Sequence, residues 1–178
     1  MKLLPKIALC AGLVTATNAV AAPQSFYGKT LRVSWDETRS QRVAGEAAFK
    51  SVSLPFVYSV YTSSKGQLFK RLSSTSASRR ATGTKDRVGT SGSDSEGSGA
   101  VSFQGNTMIA TMNNGGLGRK ISITFDGGSS CSAQVVSGKS GSGVASTRSN
   151  ATGKTMEFES VSAGTASCSV QDGNTFAN

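Results

Sequence analysis

The chain holds no histidine, and that absence removes most of the chemistry a protein of this size could perform. Without imidazole there is no Ser-His-Asp or Cys-His nucleophile and no histidine metal ligand. No remaining side chain has an ordinary pKa close to neutrality. Acid–base work would fall on carboxylates or lysine. Asp36 and Glu37 are neighbours near the end of an apparent strand, where successive side chains point to opposite faces and cannot jointly straddle a bond. Glu157 and Glu159 share a face opposite Met156 and Phe158, which reads as a solvated strand face. The glycine clusters Gly115-Gly116-Leu117-Gly118 and Gly127-Gly128 lack the strand-to-helix context of a phosphate cradle and read as hairpin turns. Asn150-Ala151-Thr152 matches a glycosylation sequon, which matters only in a glycosylating host. No catalytic residue, metal site or cofactor is expected, and the chain reads as a non-enzyme.

Binding chemistry is better represented. Between Lys65 and Arg87 the basic residues Lys65, Lys70, Arg71, Arg79, Arg80, Lys85 and Arg87 stand against Asp86 alone. A flexible basic stretch can wrap phosphates or sulfates, with arginine supplying forked donors. Aromatic interleaving stops after Phe69, which argues against stacking on nucleic-acid bases. The plainer account of the same stretch is a solvated loop whose charge resists aggregation. A second cluster, Arg32, Asp36, Glu37, Arg39 and Arg42 beside Trp35, mixes signs. It reads as a strand end with ion pairs, or as the rim of a pocket.

These residues sit in a chain that opens as a secretory leader. Lys2 and Lys6 form a positive start, Ile7 to Val14 is apolar, and Ala19-Val20-Ala21 offers the small residues of a cleavage site. The expected leader is 1–21, leaving a single β domain over 22–178. No later apolar run approaches the roughly 20 residues of a membrane span, so no transmembrane anchor is expected in the mature chain. The formal charge is +9, of which Lys2 and Lys6 leave with the leader; the remaining excess suits anionic partners or simple solubility. Cys10 lies within the leader. The remaining pair, Cys131 and Cys168, is expected to form a disulfide in an oxidising compartment, worth about 3–4 kcal/mol in the chain-entropy account. Two cysteines without histidine make no zinc site.

The elements that must position these groups read as strands. Gly28 to Trp35 alternates, with Leu31, Val33 and Trp35 on one face. Phe49 to Thr62 follows, then the turn Ser63-Ser64-Lys65-Gly66 and a return over Gln67 to Ser73. The stretch 74–99 offers almost nothing to bury and reads as a long flexible loop. Alternation resumes at Ala100 and passes turns at Gly105-Asn106, Asn113-Asn114-Gly115-Gly116 and Gly127-Gly128. Gly138 to Asn150 reads as loose, and Lys154 to Val161 with Ala166 to Gln171 forms a last pair. About eight or nine short strands with turn chemistry between them suit an all-β antiparallel up-and-down barrel of calycin or lipocalin shape, ahead of a two-sheet sandwich.

Tyr27-Gly28-Lys29-Thr30-Leu31 to Trp35, with Glu37, Arg39, Gln41 and Arg42, resembles the start of a group of small secreted all-β proteins of proteobacteria. Phe103 to Met108, Phe125-Asp126-Gly127-Gly128 to Ala133 and Ser167 to Gln171 extend the resemblance over most of the chain after the leader. It implies a periplasmic or secreted protein of a Gram-negative bacterium and favours pairing of Cys131 with Cys168. It carries no functional residue across. Two binding readings follow from the residues. A small barrel could hold a small apolar ligand among Trp35, Phe56, Tyr58, Met108, Met112 and Phe125. Alternatively, Lys70, Arg71, Arg79, Arg80, Lys85 and Arg87 could grip an anionic polymer such as lipopolysaccharide or an acidic glycan.

Overall fold

The computed structural model describes residues 21–74, 85–90, 100–149 and 152–175. The leader before Ala21 lies outside them, as do most of the expected 74–99 loop and the sequon residue Asn150.

Strand β1, Lys29–Val43, is the spine. Its first half alternates as expected, with Leu31, Val33 and Trp35 buried and Arg32 and Asp36 exposed. It then runs on through Val43, although the sequence beyond Trp35 is polar. Two neighbours hold that polar half in the ladder. On one side β2, Lys50–Thr62, pairs antiparallel from Thr30↔Tyr61 to Gln41↔Lys50. On the other, β10 (Thr155–Ala163) faces Glu37 to Val43 and β11 (Ser167–Asp172) faces Lys29 to Ser34. The last two strands are nearly one strand, broken opposite Asp36, where the Gly164 N–H donates to the Asp36 carbonyl at 2.7 Å.

Strand β3, Leu68–Ser74, returns beside β2 through a turn at Gly66, whose φ of +76° favours glycine. Pro55 sits beyond the last β2–β3 pair, Phe56↔Ser74, so its missing N–H costs no bond to β3. Two further strands add edges where the sequence offered no pattern. β4, Lys85–Thr90, pairs with β3 inside the stretch expected to be loop, and β9, Ala145–Arg148, pairs with β10 inside the stretch expected to be loose. An edge strand needs only one neighbour and no buried face of its own, so periodicity does not announce it.

The second sheet is a plain meander of β5 (Ala100–Gln104), β6 (Thr107–Asn114), β7 (Leu117–Phe125) and β8 (Cys131–Lys139). The turn into β8 is held by the exposed Asp126. Its carboxylate accepts the Gly128 and Ser130 N–H groups, which hold its pKa below the ordinary value. The chain is thus all-β, with one antiparallel sheet curled as a half-barrel and a second sheet against it. Among the described residues no ladder joins the two. Where hairpin order suggested one closed ring, β10 and β11 return to β1 instead of extending β8.

One apolar cluster fills the space between the sheets. Leu31, Val33, Trp35, Phe56, Tyr58 and Val60 meet Met108, Ile121, Ile123 and Phe125. A short 3-10 turn, Gln24–Phe26, drives Phe26 edge-on against Phe103 and Phe125, at 5.3 and 5.2 Å between ring centres. A smaller cluster of Leu117, Ala145 and Phe158 lies apart. The Cys131–Cys168 disulfide joins β8 to β11, with the Cα atoms 5.6 Å apart. No helix among the described residues is long and apolar enough to cross a membrane.

Candidate functional site

Strand parity builds a charged assembly between the two sheets. The face of β1 that carries Leu31, Val33 and Trp35 next carries Glu37 and Arg39. On β7 the face of Phe125, Ile123 and Ile121 next carries Arg119, and on β8 Val135 is followed by Ser137. Where the sheets close, these four polar side chains converge. Glu37 is 0 % exposed. Its carboxylate accepts four bonds: Arg119 Nε at 2.6 Å, Arg119 Nη2 at 2.8 Å, Arg39 Nε at 2.7 Å and Ser137 Oγ at 2.7 Å.

Aromatic rings wall the cluster. The Arg119 guanidinium lies 4.6 Å from the centre of Phe56, and that of Arg39 lies 5.3 Å from Phe56 and 5.6 Å from Phe158. Trp35 stacks on Phe56 at 5.4 Å and 14°. The Trp35 indole N–H is buried and has no hydrogen-bond partner among the described residues.

Burial pushes the Glu37 carboxyl upward, but the Arg119 hydrogen bonds and charge, the Arg39 charge and the Ser137 hydroxyl outweigh it. The net result holds Glu37 below its ordinary value. Burial, together with the charge of Arg119, lowers Arg39, and Glu37 opposes that. Four bonds occupy about as many lone-pair directions as a carboxylate owns, so Glu37 has no capacity left to take a substrate proton. The assembly is a charge cluster between sheets and not an acid–base pair.

The sequence pointed to Glu37 and Arg39 as a possible pocket rim but missed Arg119 and Ser137. The usable signal was parity: Arg119 continues the alternation of Ile121, Ile123 and Phe125, so a charge falls at an inward position. Of the carboxylates set aside earlier, Glu157 is half-buried in an ion pair and not on a freely solvated face. Asp36 is exposed on the face opposite Glu37, Glu157 pairs with Arg42 at 2.7 Å, and Glu159 accepts from Ser40 at 2.9 Å.

The six aromatic and methionine candidates come together, but as packed core. Trp35, Phe56, Tyr58, Met108 and Phe125 keep at most 5 % of their surface accessible, and Met112 packs against the same cluster. The basic candidates separate. Lys65 is exposed at its turn, Lys70 is buried on the core side of β3, and Arg71 is half-buried on the outer side. Across the outer face, Arg71 shares a row with Ser59, Arg32 and Ser169. Lys85 and Arg87 stand in register with Ser74 and Leu72, and Arg79 and Arg80 lie outside the described residues.

A shallow open trough of about 470 Å³ lies on the second sheet, lined among others by Thr111, Asn113, Lys120 and Val136. The paired glycines Gly118 and Gly138 also line it and put no side chain into it. The chain matches no protein-family model, no curated protein and no solved structure.

Proposed function

We propose that this is an exported, non-enzymatic binding protein that grips an anionic envelope polymer, such as lipopolysaccharide or an acidic glycan, through cations on its surface. The observation that carries this reading is the filled interior. A residue lining a ligand cavity keeps surface accessible to a water-sized probe, and the best candidates for a lined cavity keep almost none. Recognition then belongs to the outside. There Arg32 and Arg71 flank Ser59 on one row of the half-barrel sheet, Lys120 borders the trough, and β4 carries the basic segment to the sheet edge.

Binding of this kind is driven by charge pairing and counterion release. Affinity for lipopolysaccharide or a sulfated glycan is expected to fall at least tenfold between about 50 and 200 mM salt. Charge reversal of Arg79, Arg80, Lys85 and Arg87 together is expected to abolish it. Surface plasmon resonance across a salt series decides the matter: binding that ignores salt, or that survives the four reversals, overturns this reading.

A further inference from the structure

The buried cluster holds two guanidiniums against one carboxylate, an excess of one positive charge in a setting that water barely reaches. The two arginines use their donors differently. Arg119 commits Nε and Nη2 to Glu37 and is 8 % exposed at its side chain. Arg39 commits only Nε. Its two terminal nitrogens have no hydrogen-bond partner among the described residues, and its side chain keeps 14 % of its surface exposed, so the end of the fork is partly open to solvent.

We propose that Arg39 is an oxyanion-binding anchor, which takes a single carboxylate, sulfate or phosphate group end-on between Phe56 and Phe158. A guanidinium edge offers two parallel N–H donors that match the two oxygens of such a group. An ordinary surface arginine must give up side-chain freedom to bind. Arg39 has already given it up: the Glu37 carboxylate fixes its Nε, and two rings flank its plane. The apolar walls strengthen the pairing by keeping water away. The positive excess of the cluster gives an incoming anion a favourable destination, and Arg119 behind it adds to the field. The site uses none of the basic segment, so it stands or falls independently of the surface reading above.

Trp35 is the only tryptophan in the chain and stacks on the ring that Arg39 covers, so its emission reports on the site. The purified protein is titrated with sodium sulfate, sodium phosphate and sodium glucuronate, each against sodium chloride at matched ionic strength. The expected result is a saturable change in Trp35 emission with at least one oxyanion and none with chloride, and the tightest of the three names the group. Arg39→Met is expected to raise the midpoint at least tenfold. Val52→Glu, which sets a carboxylate directly across from Arg39 on β2, is expected to do the same by occupying the fork from within. A response no different from chloride in the wild-type protein overturns the proposal. So does a midpoint within twofold of wild type in either variant that retains its far-ultraviolet circular dichroism.

Discussion

Glu37 is where a single atom change reaches furthest. Removing its charge leaves Arg39 and Arg119 facing each other without their shared partner, and breaking a buried ion pair in this way costs about 3–5 kcal/mol. Glu37→Gln is therefore expected to lower the urea midpoint steeply, whereas replacing Glu37, Arg39 and Arg119 together by methionine should recover much of the loss by removing all three charges. The pH dependence has a definite sign. The folded pKa of Glu37 is depressed, so its stabilisation is fully present above the ordinary value of 4.5 and is lost as pH falls from there toward the folded value. Acid titration of stability should show this component in the wild-type protein and lack it in Glu37→Gln. A wild-type curve that falls no faster than that of the variant below that pH would show that the carboxylate is not held as described.

Elements differ in how far their residues announced them. The apolar alternation of Leu31 to Trp35, Phe56 to Val60, Met108 to Met112 and Ile121 to Phe125 was legible because each such face meets the other sheet. The second half of β1 was not legible. Glu37 and Arg39 look like solvent residues until Arg119 and Ser137 arrive from another sheet, and that meeting is tertiary. β4 and β9 were hidden because edge strands carry no full apolar face. Parity marked each inward charge separately, but only the closing of the sheets paired them.

The tip of the β6–β7 hairpin also presses on β9, a contact no local pattern foretold. A Cβ at Gly116 would stand 2.6 Å from the Cβ of Ala145. Gly116→Ala is expected to cost about 1–3 kcal/mol through overpacking. Gly138→Ala, where a Cβ would meet nothing within 4 Å, should change stability by no more than about 0.5 kcal/mol. Thermal melts of the two variants test the contact, and equal melting temperatures would refute it.

On the scale of the molecule, sheets that share no ladder among the described residues are tied by the ion cluster reaching β7 and β8 from β1 and by the disulfide from β8 to β11, beside the contact of the β6–β7 hairpin with β9. With its cysteines 37 positions apart in the sequence, the bond restricts the unfolded chain considerably. Replacing Cys131 and Cys168 together by serine should cost about 2–5 kcal/mol. The ion cluster and the apolar core should keep the serine variant folded. Denaturant unfolding of this variant, beside the wild-type protein with and without reductant, checks both statements.

The pairing of the first strand with the last has a consequence for how the molecule comes into being. Lys29 lies opposite Asp172, and Gly173 donates to the Gly28 carbonyl, so β1 stays bare along half of one edge until nearly the whole polypeptide exists. Contacts of such span give a high contact order and slow folding. Until β11 arrives, that stretch of β1 presents unpaired N–H and C=O groups, a template on which a second copy of the chain could lay its own β11. Such an exchange of last strands between copies is the hazard this topology carries.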